Sequence, residues 1–411
     1  MAYLSQYRYI IDPVTIMVNG SAITEVPTNR IKSFGLEKDF DFCHFPLLSV
    51  SLNIKPKIYQ MIQDSRESVT FKIRIQRYSF DQTDLTNYKY KRDFINGVFT
   101  TFIDVKTPIL DDTLIEYDNE INNDDNKIND LANVYTFYLF KEKDISNAAK
   151  INNLIFTSDT LTNIVTYLFY TCGVSNVLMS KLTNAALQSE VLLPPYTLTG
   201  AINYLDQQYG LYTTGSVLFF DYDRTYLLQK MAKCTAWRLN EYKKVVFSVT
   251  KISNPNSSFP GSMVDSEKEY IYVNVTRNCV DILTDTITND AVSGNNTLIV
   301  DPMSGGEKVT SNAEQIGSGT YSVKMQSFEN PYIKTMNNMI INENKTVINI
   351  YLTETDISEF TPNKEYVMTF EDQSVQAEYG GNYRLTFLSV EYSNQGDSYF
   401  ANIMLTLKRS L

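Results

Sequence analysis

Alternation of apolar and polar residues dominates the N-terminal third of the chain. In residues 69–76, VTFKIRIQ, every second position is apolar, which is the period of a β-strand with one buried face. The runs 14–18 and 21–26 flank Asn19-Gly20, a dipeptide that readily takes the two positive φ angles of a type I′ turn. A further strand is predicted over 133–140. The pattern therefore predicts a β-rich region that opens with a hairpin.

Helical spacing replaces this alternation in the middle of the chain. Apolar residues recur every three or four positions over 161–172, as on the buried face of an amphipathic helix. Ser158 or Asp159 is placed to cap the N-terminus of this helix, and Gly173 is placed to end it. We therefore expect a helix between these signals.

A second helix follows, and then the chain returns to β. Residues 198–209 show the same helical spacing, with Thr197 as the expected N-cap and Gly210 as the stop signal. The segments 216–220 and 225–230 are then predicted to form two strands joined by a polar turn. The two helices thus lie between β regions.

Strand patterning is also pronounced near the C-terminus. Four closely spaced segments, separated by turn residues, indicate a sandwich or barrel. They are 346–353, 365–370, 383–390 and 399–407. The stretch of about 246–325 has a predicted strand at 270–275 between Asn-, Ser- and Gly-rich runs, so it is predicted to be a loop-rich β insertion.

Composition supports a β-rich fold of more than one domain. The chain has 29 Tyr and 22 Phe against 16 Gly and 12 Pro, and aromatic residues fit the half-buried surface of a sheet. Its 411 residues exceed the roughly 100–200 residues of one domain. The fold class expected is mainly β, with a small α+β region in the middle.

Net charge and cysteine spacing exclude several classes of protein. The formal charge of -11 argues against a protein that grips nucleic-acid phosphates through Lys and Arg. The cysteines form no CxxC pair, so no zinc ribbon is predicted; they are Cys43, Cys172, Cys234 and Cys279. We expect no signal peptide and no membrane-spanning helix.

Candidate catalytic and phosphate-binding residues are few. His44, the one histidine, lies in a strand-like context and is better interpreted as a packed or hydrogen-bonded residue than as a catalyst. The run Gly305-Gly306-Glu307-Lys308 lacks the spacing of a phosphate loop. Asp221-Tyr222-Asp223 could hold a divalent cation, but a polar hairpin turn is the favoured interpretation. We therefore predict no catalytic, cofactor-binding or metal-binding residues.

Residues 104–130 are strongly acidic. Nine Asp and Glu residues face two Lys residues there, without the Gly and Glu positions of an EF-hand calcium loop. A solvated outer loop is the simplest interpretation. A second hypothesis places part of this charge beside a DNA passage, where an acidic wall would repel phosphates.

Motifs within residues 158–230 resemble one protein family. The second helix begins after Leu193-Pro194-Pro195-Tyr196, is followed by Tyr209-Gly210-Leu211-Tyr212, and precedes Phe219-Phe220-Asp221-Tyr222-Asp223. This arrangement resembles the baseplate hub, or tail hub, proteins of contractile-tailed bacteriophages. The C-terminal run Gly380-Gly381-Asn382-Tyr383-Arg384-Leu385 agrees with it. The acidic segment 104–130 and the insertion have no counterpart in this resemblance.

The resemblance implies a domain order and a role. Two tube-like β-barrel domains, 1–145 and 211–411, would flank a helical connector, 146–210. A homotrimer would then present six barrels to a sixfold tail tube and threefold symmetry to a central spike. The implied partners are the tube protein, the spike protein, baseplate wedge proteins and, as a further candidate, the tape-measure protein. The implied location is the virion, after folding in the host cytoplasm, and no cofactor, membrane or sequence-specific nucleic acid is implied.

Two other functions fit the composition. A glycan-binding β module of a tail fibre or adhesin would also use many aromatic residues and an acidic loop. A glycosidase or transferase would need paired carboxylates, which an acidic chain always offers. The capped helices argue against the first alternative, and no located constellation of residues favours the second.

Overall fold

The computed structural model places most of the chain in β-strands. It describes residues 6–81, 84–101, 133–212, 215–229, 244–251, 262–265, 270–284, 297–301, 306–310, 321–324, 346–353, 355–395 and 398–409. The statements below concern these residues.

Thirteen of the described strands lie within residues 6–229. They are Gln6–Ile11 (β1), Val14–Val18 (β2), Ser21–Val26 (β3), Ile31–Asp39 (β4), Leu47–Ile54 (β5), Val69–Asp81 (β6), Asp84–Thr101 (β7), Asn133–Lys141 (β8), Ile151–Thr160 (β9), Val177–Met179 (β10), Leu187–Thr197 (β11), Ser216–Phe220 (β12) and Thr225–Gln229 (β13).

The remaining strands and the helices complete the fold. The strands are Lys244–Thr250 (β14), Ser262–Asp265 (β15), Tyr270–Thr276 (β16), Val280–Thr284 (β17), Thr297–Asp301 (β18), Gly306–Thr310 (β19), Tyr321–Lys324 (β20), Thr346–Thr353 (β21), Tyr366–Phe370 (β22), Gly381–Gln395 (β23) and Ser398–Arg409 (β24). The helices are Pro56–Asp64 (α1), Glu142–Ala148 (α2), Leu161–Cys172 (α3), Leu198–Tyr209 (α4) and Gln373–Tyr379 (α5).

Eight strands form a closed circuit of hydrogen bonds. The order is β23-β4-β5-β8-β7-β6-β1-β24, and β24 pairs again with β23. Closure of this kind removes exposed strand edges. The circuit therefore joins strands from the N-terminal part of the chain to β23 and β24 near the C-terminus in one sheet.

A second group of strands extends from the same hairpin. On one side β22, β14, β16 and β15 continue from β23, and on the other side β21 and β17 continue from β24. The pairs β14–β16 and β14–β22 are parallel. The hairpin β23–β24 therefore belongs to both groups of strands.

The middle of the chain forms a small α+β unit with its own core. Strands β9 and β11 form a two-stranded ribbon, and β10, β13 and β12 form a three-stranded sheet. Helices α3 and α4 pack with these strands in a core separate from that of the large sheet. Residues 151–229 are called the connector unit below.

Most predicted element positions are confirmed. Asn19 and Gly20 have φ of 50° and 75°, as the hairpin turn between β2 and β3 requires. The Thr197 hydroxyl accepts from the Gly200 amide and caps α4, and Gly210 follows in the left-handed region. The predicted mainly β fold with a helical middle region is confirmed.

The predicted N-cap of the first mid-chain helix is wrong. The N-cap of α3 is Thr160, whose hydroxyl accepts from the Asn163 amide, rather than Ser158 or Asp159. Asp159 precedes the N-cap and also stabilises the start of the helix, because its carboxylate accepts hydrogen bonds from the Thr160 amide and the Asn163 side chain. The helix therefore begins one residue later than a cap at Asp159 would place it.

The predicted insertion contains strands of the large sheet. Strand β14 begins at Lys244 and lies between β16 and β22 in the large sheet. Its alternate residues Val245, Phe247 and Val249 are buried in the core of that sheet. The acidic segment 104–130 lies outside the described residues. The domain boundaries at 145 and 210 stay a prediction.

One structural feature bears on membranes. Among the described residues, none of the helices has the length and apolar character that a membrane-spanning helix requires.

Truncation of a core residue in the shared hairpin should destabilise the fold. Leu388 of β23 is fully buried, so we expect Leu388→Ala to lower the free energy of unfolding by about 2–5 kcal/mol. Exposed Glu391 lies on the same strand, and Glu391→Gln should change this energy by less than about 0.5 kcal/mol. Urea unfolding followed by fluorescence measures both. Equal effects of the two variants would contradict the shared core.

Candidate functional site: the junction between the connector unit and the large sheet

The hairpin β12–β13 lies between two hydrophobic cores. Val217, Phe219 and Leu228 pack in the core of the large sheet, whereas Leu218, Phe220 and Leu227 pack in the core of the connector unit. A strand buried on both faces has a nearly continuous run of apolar residues, which SVLFF and TYLLQ provide. This hairpin therefore joins the connector unit to the large sheet.

A buried ion pair lies at the tip of this hairpin. The Lys38 ammonium group of β4 donates to both carboxylate oxygens of Asp221, at 2.8 and 2.7 Å. Lys38 is 6% exposed and Asp221 is 8% exposed. Removal of one partner would leave the other as an uncompensated charge in the interior, which is strongly unfavourable. The pair therefore favours one docked position of the hairpin.

Hydrogen bonds fix the conformation of the turn. The Tyr222 amide donates to Asp221 Oδ1 at 2.9 Å, and the Asp221 amide donates to the Arg224 carbonyl at 2.7 Å. The Asn176 side chain donates to the Asp223 carbonyl at 2.6 Å. Asp221 therefore reaches Lys38 from a turn that its own neighbours constrain.

Tyr222 leaves the connector unit and enters the core of the large sheet. Its ring centroid lies 5.9 Å from that of Phe99 in an edge-to-face arrangement, and the Lys38 nitrogen lies 5.7 Å from the ring centroid. Lys141 at the end of β8 donates to the Tyr222 carbonyl. Burial, with the carboxylates of Asp221 and Asp144 nearby, raises the pKa of Tyr222 well above its ordinary value, so its hydroxyl stays neutral.

The loop between β4 and β5 contacts the other side of the hairpin. The Phe220 amide donates to the His44 carbonyl at 2.8 Å. His44 Nδ1 lies 2.9 Å from the Leu218 carbonyl, and because a carbonyl can only accept, Nδ1 carries the proton. Phe45 stacks on Phe220 with ring centroids 5.2 Å apart.

These contacts describe the surroundings of the single histidine. His44 lies in a bend after β4, not in a strand as the sequence suggested. Its ring and its backbone both bind the hairpin. The prediction of a hydrogen-bonded His44 agrees with this geometry.

Asp144 of α2 adds a second carboxyl group beside the ion pair. Its Oδ2 is buried and has no hydrogen-bond partner among the described residues. Burial raises the pKa of Asp144 to about 6; Lys141 and Lys143 partly offset this effect, and Asp221 adds to it. The ionised form of Asp144 is therefore unfavourable in the folded protein.

A polar cleft opens beside the junction. Its volume is about 250 Å³, and its walls include Lys38, Arg77, Tyr222 and Arg224 together with the segment 357–361. Arg77 forms an ion pair with Asp356 and also donates to Ser358. Both Lys38 and Arg77 are thus neutralised by carboxylates, and the cleft has no excess of one charge that would select an ionic ligand.

The arrangement does not favour metal binding at the Asp221-Tyr222-Asp223 triplet. A carboxylate that coordinates a cation must be available to it, whereas both oxygens of Asp221 accept from Lys38. Within the described ranges, no group of three His, Cys, Asp or Glu residues is arranged to hold a metal ion. The favoured interpretation of the triplet, a hairpin turn, agrees with the structure.

The other candidate residues of the sequence are a strand segment, cysteines and an acidic segment. Gly306, Glu307 and Lys308 belong to strand β19, and Gly305 lies outside the described residues. Cys43 is exposed and Cys172 is buried, and neither forms a disulfide. Cys234 and the acidic segment 104–130 also lie outside the described residues.

Sequence reasoning missed Lys38, Lys141 and Asp144. A signal for Lys38 was present. In β4 it takes the place of an apolar residue in the alternation that begins Phe34, Leu36, Lys38, and buried Phe40 follows just after the strand. A lysine in the buried phase of a strand requires a carboxylate partner. Nothing in the local pattern of Asp144 distinguishes it from a surface residue of a short helix.

A family model described as "Bacteriophage PBS1 gene 109 protein" matches residues 2–410. The matching family is one of bacteriophage proteins, so the resemblance to phage proteins drawn from the sequence is confirmed at that level. A comparison of the sequence with curated proteins finds no match.

Several solved structures are similar to this chain over most of its length. The 43 kDa tail protein of prophage MuSo2 from Shewanella oneidensis is 9% identical, with 96% of this chain and 97% of that chain covered and a TM-score of 0.47. The tail protein from Neisseria meningitidis MC58 is 9% identical, with 98% and 96% covered and a TM-score of 0.44.

The E. coli c3393 protein is a third similar structure. It is described as a component of the type VI secretion system with structural similarity to the T4 bacteriophage tail proteins gp27 and gp5. It is 10% identical, with 95% of this chain and 76% of that chain covered and a TM-score of 0.42.

Breaking the buried ion pair should cost far more than breaking an exposed one. We expect Asp221→Asn to lower the free energy of unfolding by about 3–5 kcal/mol, because Lys38 is left buried and unpaired. Lys38→Met combined with Asp221→Asn should recover much of this loss. Arg74→Met, which breaks the half-exposed pair with Asp93, serves as the control and should change stability far less, because solvent screens an exposed ion pair. If the double variant is as unstable as the sum of the single variants, the pair is not coupled.

Asp144 should make stability depend on pH. The pKa of its carboxyl group is about 6 in the folded protein, above its ordinary value, so the folded state takes up the proton first as pH falls. At pH 8 the ionised group opposes folding, and Asp144→Asn should be more stable than wild type by about 3 kcal/mol. The difference should shrink through pH 6 and vanish near pH 4. Urea unfolding of both proteins from pH 8 to 4 measures it, and a difference that does not change with pH would contradict the raised pKa.

Proposed function

The chain belongs to the family of the bacteriophage PBS1 gene 109 protein, and we propose that it is a non-enzymatic structural component of a phage tail. Within the tail we propose that it is the baseplate hub, an adaptor between the tail tube and the central spike. Its location would then be the virion, after assembly in the host cytoplasm.

The pairing of strands around β23–β24 is the observation that supports an adaptor. The closed eight-stranded circuit uses the part of this hairpin near its turn. Near the open end of the hairpin, β22, β14 and β16 extend from β23, and β21 and β17 extend from β24. We take these two groups of strands as the two β units of one chain. Three such chains would offer six, which is the number that a sixfold tube requires of a trimer.

The junction supports the same role. A structural adaptor must keep its parts in a fixed orientation, and the buried Lys38–Asp221 pair together with inserted Tyr222 gives the connector unit one docked position. The partners that this role requires are the tube protein, the spike protein and baseplate wedge proteins, with the tape-measure protein as a candidate in the lumen. No step of the role requires a cofactor or a catalytic residue.

The mass of the assembled protein tests the hub proposal. Three chains of 47.1 kDa should form a ring of about 141 kDa. We expect native mass spectrometry to detect this species for the chain alone or after addition of spike protein. The same measurement at a tenfold lower protein concentration is the control for nonspecific association.

Other outcomes identify the competing functions. A monomer that persists in the presence of both spike and tube proteins would contradict the hub. A monomer that binds oligosaccharides would favour the glycan-binding module instead.

A further inference from the structure

Lys141 is placed between two acceptors at the junction. It is the N-cap residue of α2, and its ammonium group donates to the Tyr222 carbonyl in the turn of the hairpin β12–β13. Asp144 is the third residue of the same helix, and residues three apart lie on the same side of a helix. The positive charge of Lys141 acts on the Asp144 carboxyl group and favours its ionised form. Lys141 can therefore serve either the turn or the helix.

The Asp144 carboxyl group is poorly placed to carry a charge while Lys141 binds the turn. Its Oδ2 is buried and has no hydrogen-bond partner among the described residues. The nearby Asp221 carboxylate has a like charge and is held by Lys38. An ionised carboxyl group with a buried, unpaired oxygen is unfavourable. This geometry matches a neutral Asp144, and it agrees with the pKa of about 6 to which burial raises this group.

Other charged and titratable groups occur on the elements around α2 and the junction. They are Glu142 and Lys143 of α2, Asp206 of α4, Lys38 of β4, and Asp221 and Tyr222 of the turn. Glu142 and Lys143 are exposed, and the Asp206 carboxylate accepts two hydrogen bonds at the start of β12. The ends of β7 and β8 beside Lys141, residues 99–101 and 139–140, carry no titratable group. Lys141 is therefore the cation best placed to pair with an ionised Asp144.

We infer that Lys141 is the moving part of a pH-dependent latch on the turn, residues 221–224. While Asp144 is protonated, the Lys141 ammonium group stays on the Tyr222 carbonyl and holds the turn closed. When Asp144 ionises, the ammonium group moves to the carboxylate three residues away, and the Tyr222 carbonyl loses its donor. The turn then opens more readily, whereas β12 and β13 stay packed between the two cores. This inference does not depend on the proposed hub role.

The direction of the pH effect follows from the state that holds the proton more tightly. The pKa of Asp144 is about 6 with the turn closed, and an open turn returns it to the ordinary range near about 4. Opening is therefore least favourable below this lower range, becomes more favourable as pH rises towards the upper value, and levels off above it. Between pH 4.5 and pH 7.5 the equilibrium constant for opening should rise about twentyfold.

Amide hydrogen exchange in the full-length chain tests the latch. The Asp221 amide donates to the Arg224 carbonyl and the Tyr222 amide donates to Asp221 Oδ1, so both amides report opening of the turn. After correction for the intrinsic pH dependence of exchange, we expect their protection in wild type to fall about twentyfold from pH 4.5 to pH 7.5. In Asp144→Asn, which cannot ionise, protection should be the same at both pH values.

Two lysine variants separate the latch from a general effect of charge. Lys141→Met removes the donor to the Tyr222 carbonyl, so the turn amides should be weakly protected already at pH 4.5. Lys143→Met is the matched control, because it removes an exposed lysine that also acts on Asp144 but leaves the bond to the turn in place. This control should keep wild-type protection at pH 4.5.

Three results would overturn the latch. The first is an Asp144→Asn variant whose turn amides keep the pH dependence of wild type. The second is a Lys141→Met variant that is protected like wild type at pH 4.5. The third comes from the amides of residues 388–392 in the closed circuit, which should stay protected at both pH values: an equal loss of protection there would show that the whole fold loosens rather than the turn.

Discussion

The backbone hydrogen bonds between β23 and β24 are the interaction on which the rest of the structure depends. Every buried amide and carbonyl group must find a partner, and these two long strands supply partners to both groups of strands. Along β23, residues Gly381–Tyr383 pair with β22 and residues Phe387–Tyr392 pair with β4. The register with β24 shifts between Leu385 and Phe387, which is where the partner changes. A bulge bends a strand and increases its twist, so this shift lets one strand serve two groups.

The connector unit depends on a different kind of interaction. Its helices and ribbon form an independent core, and its main contact with the large sheet is made by the hairpin β12–β13, which has apolar residues on both faces. Apolar packing alone tolerates small changes of position, whereas a buried ion pair tolerates very few because a displaced charge loses its partner. Lys38 and Asp221 therefore contribute orientation rather than a large net stabilisation. Beside them, the buried Asp144 oxygen has no hydrogen-bond partner among the described residues, so the polar groups of the junction are not all paired. Asp41 shows the opposite case. Burial alone would raise its pKa, but the neighbouring Arg384 and Lys408 hold this pKa below its ordinary value.

Local structure could be predicted from the sequence wherever one residue type determines a local conformation. Asn19-Gly20 requires positive φ angles, Thr197 caps a helix and Gly210 ends it, and each of these signals acts within a few residues. The pairing of β4 with β23 could not be predicted, because residues far apart in the sequence meet there and the alternation of each strand fits many partners. Strand β14 shows the same limit: its alternating residues were present, but the polar runs that follow it suggested a loop-rich insertion. Of the two partners in the ion pair, Lys38 could be recognised, because it stands where the alternation of its strand expects an apolar residue. Asp221 could not, because aspartate is common in turns.

These features describe a chain whose large sheet and connector unit are joined by buried contacts, and the proposed hub role is the use that such a rigid connection would serve. A cryo-electron microscopy reconstruction of the assembled tail tests this account most directly. We predict three copies of the chain between the last ring of the tube and the spike, with the strands around β23–β24 following the sixfold symmetry of the tube. The connector units should lie at three equivalent positions. A reconstruction in which the chain is absent from this position, or is present in six copies that each contribute one β unit, would contradict the account.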